Sequence, residues 1–221
     1  MRTVIKNAPL ITEPYAHFCA ENVFSDELYQ DILHAFPKLE LMTPFSAAYA
    51  QRYWFRFSEE NITKLPFQLQ IFWTKLHLDL SGLQDVLFDK FKETIAERFG
   101  NVFQGLKIVP RLELYHDKTH YSIGPHTDHP IKVVNLLFYL PSDDNQSHLG
   151  TSIYVPKEST FKCEGFSHYD FAGFNEVKTI DYKPNSLFCF CKTDDSFHGV
   201  KPITQHNVDR RIMNLCFEWS Y

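Results

Sequence analysis

Two short apolar runs set the terms on which this chain can fold: Val133-Val134-Asn135-Leu136-Leu137-Phe138-Tyr139-Leu140 and Ser186-Leu187-Phe188-Cys189-Phe190-Cys191. Both read as strands. In the second, Phe188 and Phe190 alternate with Cys189 and Cys191, so both faces are apolar, as in a strand buried on two sides. Further strands are expected at 108–115, 151–155, 177–182 and 211–219, with polar turns between them. Short strands at this spacing suggest a double-sheet barrel or sandwich.

Metal-ligating residue types flank both runs. Gly124-Pro125-His126-Thr127-Asp128-His129 leads into the first, and Phe197-His198-Gly199-Val200 follows the second. On extended backbone, side chains two residues apart point the same way, so His126 and Asp128 can face one ion. His198 is placed to supply a third donor. Two histidines and one carboxylate form the facial triad of non-haem Fe(II) sites, with coordination positions left open. Arg210-Arg211 then opens the last apolar strand, where a bidentate cation suits a carboxylate ligand.

His168-Tyr169-Asp170 repeats the His-x-Asp spacing, but Asp170 lies only 28 positions before His198, too few for the intervening strands. The 70 positions from Asp128 to His198 hold about four strands of five or six residues. His126 and Asp128 are therefore the better pair.

A chain of 221 residues fits one domain, here 1–221, with a helical N-terminal part (1–104) and a strand-rich core (105–221). The net charge of -5 is scattered, and no run of Lys or Arg exceeds two residues, so a nucleic-acid partner is not expected. Five cysteines, an odd number without a CxxC pair, argue against a disulfide framework and a thiolate zinc site. Core thiols in a reducing compartment are expected. No signal-like segment opens the sequence, and no stretch reaches the roughly 18 apolar residues of a membrane span, so a cytoplasmic location with no membrane partner is the expectation.

In the N-terminal part, 16–20 is a candidate strand. Ser25 can cap a helix that Asp26 and Glu27 begin and Pro37 stops. Residues 38–66 are irregular and aromatic, fitting either packing on the barrel or a substrate lid. Two helices are expected across 67–99, broken near Ser81-Gly82 and ended by Gly100.

Taken in order, these parts resemble the 2-oxoglutarate and Fe(II)-dependent dioxygenase superfamily, in particular its prolyl 4-hydroxylase-like branch. The resemblance spans roughly 106–217. It rests on the Tyr115 strand, His126-Thr127-Asp128, Phe138-Tyr139-Leu140-Pro141, Leu149-Gly150-Thr151-Ser152-Ile153-Tyr154, Ser186-Leu187-Phe188-Cys189-Phe190, His198-Gly199-Val200-Lys201-Pro202 and Arg211. It implies a mainly β fold with flanking helices: a double-stranded β-helix (jelly roll, cupin-like) with N-terminal helical support. It also implies Fe(II) held by His126, Asp128 and His198, with 2-oxoglutarate as co-substrate. O2 would be consumed, succinate and CO2 released, an unactivated C–H hydroxylated, and ascorbate is a candidate reductant. On the same resemblance the far carboxylate of 2-oxoglutarate meets Arg211, with Arg210 facing out, and Tyr139, Tyr115 and Asn135 are co-substrate neighbours; Tyr121 is a further one. The segment from His198 to Arg211 is longer than in many prolyl hydroxylases and lacks their usual glycine before the arginine.

The substrate is expected to be a small molecule or a prolyl peptide. A cupin-type isomerase or a non-catalytic jelly-roll binding protein is the alternative, and neither needs Arg211. Within the oxygenase class, Asp128 argues against a halogenase, whose halide would take the carboxylate's position. His129 is a candidate substrate contact. Arg111 and Glu113 share a strand face and are either substrate contacts or cross-strand ion partners. The aromatic loop 156–177 is either a lid or a segment folded onto the barrel.

Overall fold

The structure, a computed structural model, describes residues 1–46, 49 and 51–220. Helix α1 (Arg2–Asn7), strand β1 (His17–Glu21) and helix α2 (Asp26–Ala35) come first. Ser25 Oγ accepts from Leu28 N at 3.3 Å, and Asp26 and Glu27 occupy the first turn of α2, where the helix dipole favours acids. A hairpin of β2 (Thr43–Pro44) and β3 (Arg52–Arg56) follows, then helices α3 (Glu59–Ile62), α4 (Phe67–Ser81), α5 (Gln84–Lys90) and α6 (Lys92–Phe99). The second helix expected after Gly82 is thus two: Phe91, at φ -100° and ψ 15°, leaves helical geometry between α5 and α6. Gly100 ends α6 with φ +56°, a conformation that needs no Cβ.

The remaining chain forms β4 (Lys107–Asp117), β5 (Ile123–His126), β6 (Lys132–Tyr139), β7 (Thr151–Pro156), β8 (Phe174–Ile180), β9 (Ser186–Cys191), β10 (His198–Val200) and β11 (Arg210–Ser220). They build two antiparallel sheets, one ordered β9-β6-β11-β4 and the other β5-β10-β7-β8. The chain changes sheet at every connection except the β7–β8 hairpin. That is the double-stranded β-helix, or jelly roll. β8 begins at Phe174 and ends at Ile180, earlier than the stretch 177–182 read from the sequence.

Residues 1–104 are not purely helical. They extend the larger sheet at both edges: β1 pairs with β9, and β3 pairs with β4. These strands are short and read weakly as a pattern, but they give the sheet's edges partners.

The larger sheet is buried on both faces, which explains its apolar runs. One face carries Leu112, Leu114, Leu136, Phe138, Leu187, Cys189, Met213, Leu215 and Phe217 against the helices, through Trp73, Leu80, Leu87, Phe91 and Ile95. The other looks into the barrel, where Tyr115, Tyr139, Phe188, Phe190 and Ile212 meet Ile123, Ile153, Ile180 and Val200 of the smaller sheet. All five cysteines are free, and burial pushes the Cys191 thiol up to about 12. No helix among the described residues is long and apolar enough to cross a membrane.

Candidate functional site

The smaller sheet brings the histidines together. His126 ends β5 and His198 opens β10, and the two are directly opposed in the antiparallel ladder, with ring centroids 4.4 Å apart. Asp128 follows two residues after His126. One donor atom from each of His126, Asp128 and His198 falls within a 4.8 Å cluster, and all three residues are buried. His126 Nδ1 lies 2.9 Å from Gly124 O and His198 Nδ1 lies 3.0 Å from Ser196 O. With Nδ1 donating to a carbonyl, each ring offers an unprotonated Nε2, the form a metal needs. Burial, joined for His126 by the neighbouring His198, lowers the pKa of both imidazoles and keeps them neutral.

Asp128 is held as a carboxylate. Burial alone would raise its pKa, but the Lys132 ammonium outweighs that, and the group lies well below the usual carboxylate range. Lys132 Nζ donates to Asp128 Oδ1 at 2.8 Å and Asn135 Nδ2 donates to Oδ2 at 2.9 Å. Asn135 is in turn braced by Asn214 Nδ2 at 2.5 Å. Two neutral imidazoles and an oriented carboxylate fit a divalent cation of the Fe(II) type.

The inner cavity in front of this cluster, ≈ 470 Å³, has a cationic far end. Arg210, Ile212 and Asn214 of β11 line it, together with Arg52, Tyr115, Asn135, Leu137 and Thr151. Arg210 is fully buried; its Nε donates to Leu149 O at 2.5 Å, its Nη1 to Asp117, and its Nη2 lies 3.4 Å from Thr151 Oγ1. Arg211 does not reach the cavity. It is half-buried, with its guanidinium 5.3 Å from the Phe36 ring centroid and 2.7 Å from Asp209 Oδ2. The alternation expected for β11 is present, with Met213, Leu215 and Phe217 sharing a face. That face packs on the helices, so the cavity side belongs to the even-numbered residues.

Of the other expected neighbours, Asn135 lines the cavity but is engaged with Asp128. Tyr115 lines it with its hydroxyl on Glu113. Tyr139 is fully buried at the barrel wall, its hydroxyl oxygen accepting from Thr151 N at 3.2 Å. Tyr121 lies behind Arg52, whose guanidinium sits 4.3 Å from its ring centroid. Sequence reasoning missed Arg52, Asp117, Lys132, Thr151 and Asn214. Only Lys132 carried a local cue, four residues after Asp128 at the mouth of an apolar run.

A wider cleft of ≈ 1320 Å³ opens outward from the same donors, lined by Phe45, Trp54, Arg56, Glu113, Phe166 and His168, among others. Arg111 and Glu113 are ion-paired, to Glu218 at 2.7 Å and Arg56 at 2.7 Å. The loop after β7 folds onto the barrel through Phe161, Cys163, Tyr169 and Phe171, which pack with Phe174 of β8 around Phe197, and its Phe166 and His168 line the cleft. There His168 reaches the His126 ring at 4.5 Å and bonds Tyr49 of the 38–66 segment. The His129 ring lies 4.5 Å from Phe166.

Comparison with known proteins gives the same architecture. No family profile and no curated protein sequence matches the chain. A prolyl-4-hydroxylase of Pseudomonas putida superposes with a TM-score of 0.57 at 10% identity, over 100% of this chain and 99% of that one. A prolyl hydroxylase of Trichoplax adhaerens, solved with a hypoxia-inducible factor peptide, gives 0.55 at 13% identity, over 98% and 88%. HygX of Streptomyces hygroscopicus, solved with nickel and 2-oxoglutarate, gives 0.54 at 11% identity, over 93% and 83%. The fold of this chain is the one these three proteins share.

Proposed function

We propose that this protein is a single-domain Fe(II)- and 2-oxoglutarate-dependent dioxygenase spanning residues 1–221. The observation that carries the reading is one inner cavity with two chemically distinct ends. Neutral histidines and an ionised aspartate form one end, and a fully buried arginine forms the other. A ligand with a chelating oxo-acid group and a remote carboxylate matches both. An isomerase or a simple metal-binding jelly roll leaves the cationic end unexplained.

His126, Asp128 and His198 would hold the iron, and Arg210 with Thr151 the far carboxylate of 2-oxoglutarate. With O2, the bound pair would supply oxidative decarboxylation to succinate and CO2, coupled to hydroxylation of an unactivated C–H bond, one oxygen atom going to succinate and the other to the product. The chain's own work is positioning. Asn135 and Lys132 fix the Asp128 carboxylate, and Ile123, Leu137, Val200 and Ile212 give the inner cavity an apolar wall between its two polar ends. The outer cleft would receive the substrate, a small molecule or a prolyl peptide, and the loop bearing His168 would close over it. Five free thiols accord with a reducing, cytoplasmic setting.

Anaerobic titration of the Fe(II)-loaded protein with 2-oxoglutarate tests the reading. A visible charge-transfer band of a bidentate oxo-acid chelate is expected in the wild type and not in Asp128→Ala or His198→Ala. Iron binding without any band would sink the proposal. With the band established, succinate release on screening metabolites and prolyl peptides identifies the substrate.

A further inference from the structure

Asp117 is fully buried on β4, and the residues opposite it on both neighbouring strands are arginines. Arg52 faces it from β3 and Arg210 from β11, so the three form one cross-strand row. Arg52 grips the carboxylate with two bonds, Nε to Oδ1 at 2.6 Å and Nη2 to Oδ2 at 2.9 Å, and Arg210 Nη1 takes Oδ2 as well. Side-chain exposure is 12% for Arg52 and 0% for Arg210 and Asp117. Among the described residues, Asp117 is the carboxylate that either guanidinium touches. Two guanidiniums against one carboxylate leave a net positive charge in a desolvated place, which is unfavourable unless an anion completes it.

Arg52 is also built to be rigid. Its guanidinium lies between two tyrosine rings, 4.4 Å from the Tyr115 centroid and 4.3 Å from that of Tyr121. Its fork is used on Asp117, and the remaining N–H groups carry no protein hydrogen bond among the described residues. Arg52 lines both the inner cavity and the outer cleft, so it stands at the partition between them. On its own strand, Trp54 and Arg56 form part of the cleft wall.

We propose that Arg52 is a second anchor, beside Arg210, for the far carboxylate of the 2-oxo acid, and that through it co-substrate binding fixes the β2–β3 wall of the substrate cleft. The inference rests on the oxygenase reading and adds to it a residue from outside the barrel. Arg52 thus has a ligand-directed purpose. Asp117 serves to hold the two guanidiniums side by side.

The test compares two oxo acids on the Fe(II)-loaded, anaerobic protein: 2-oxoglutarate, and 2-oxobutyrate, which lacks the far carboxylate. For Arg52→Gln the Kd for 2-oxoglutarate should rise by about tenfold or more, because hydrogen bonds to charged groups are the strong ones. The Kd for 2-oxobutyrate should stay within about threefold, which also reports an intact metal site. Hydrogen exchange gives a readout independent of turnover: 2-oxoglutarate, and not 2-oxobutyrate, should slow the amides of 52–56 in the wild type. If Arg52→Gln does not fold, Arg52→Lys carries the comparison, with the same selective loss expected at smaller size. Unchanged 2-oxoglutarate binding, or equal weakening of both acids, overturns the assignment while leaving the oxygenase reading intact. Wild-type protein that binds neither acid overturns both.

Discussion

Asn135→Leu separates orientation of the Asp128 carboxylate from its charge. Asn135 is 3% exposed and Asn214 is 2% exposed, and together they form a relay that ends on Asp128 Oδ2. The substitution keeps the branched shape of the side chain and removes one of the two bonds fixing the carboxylate, leaving Lys132 on Oδ1. A hydrogen bond to a charged group is worth about 1.5–3 kcal/mol, and about 1.4 kcal/mol is tenfold in affinity. Divalent metal should therefore bind about 10- to 100-fold more weakly, the range expected for residues that orient a ligand. Stability should fall too, by about 1–3 kcal/mol, because the Asn214 amide loses one of its two acceptors in a dry site and keeps only Leu136 O. Asn135→Leu combined with Asn214→Leu should recover much of that stability and none of the metal affinity, since Asn214 acts on the carboxylate through Asn135. Competition of Co(II) against a chelator, with urea unfolding of the metal-free protein, reads both quantities. Metal affinity within about threefold of wild type in a folded Asn135→Leu protein would show that the relay does not orient Asp128.

Arg210→Lys should raise the requirement for 2-oxoglutarate far more than Arg211→Ala, because Arg211 spends its charge on the half-exposed Asp209 outside the cavity; the reverse ranking in the anaerobic titration would put the anchor on the other face of β11. Gly165→Ala should destabilise the loop tip and lower metal affinity: Gly165 has φ +128°, and a Cβ there would lie 2.6 Å from Asp128 O. Unaltered metal binding in that variant would mean the tip does not bear on Asp128. The Asp209 carboxyl, which burial would raise, is drawn well below its usual range by His116, Arg211 and Lys118. Its contribution to stability is thus complete above the unfolded carboxylate pKa of about 4 and is lost as the pH falls below that. Asp209→Asn should flatten the acid limb of a stability-versus-pH curve measured by denaturant unfolding, and an unchanged limb would refute the assignment.

The clustering of His126, Asp128 and His198 was legible because their spacing is local. His126 and Asp128 are two apart, and His198 follows a strand that reads as doubly buried. The two strands that carry the histidines were not legible, since β5 has four residues and β10 three, too few to show a period. The face of β11 was misread for a different reason. A strand apolar on both sides gives alternation without direction, and only the helices packed on Met213, Leu215 and Phe217 reveal which side is outside. Arg52 and Asp117 were out of reach because they are 65 positions apart and meet only through the pairing of β3 with β4.

Both ends of the inner cavity are therefore set by register. His126 opposes His198 in one sheet, and Arg52 and Arg210 flank Asp117 in the other. A one-residue slip would turn every one of these side chains to the wrong face, so the pairings must be held by something other than the short strands themselves. In the larger sheet β11 does this, pairing with β4 over its whole length and with β6 on the other side. In the smaller sheet β10 has only three residues, and it is held from both sides, by β5 and by β7, with His198 opposite His126 on one and Ile153 on the other. Gly199 permits that close fit: a Cβ there would meet Ile123 O at 2.7 Å, so any larger residue would push β10 off β5 and part the histidines. The glycine beside His198 is thus as much a part of the donor geometry as the residues that would touch the ion.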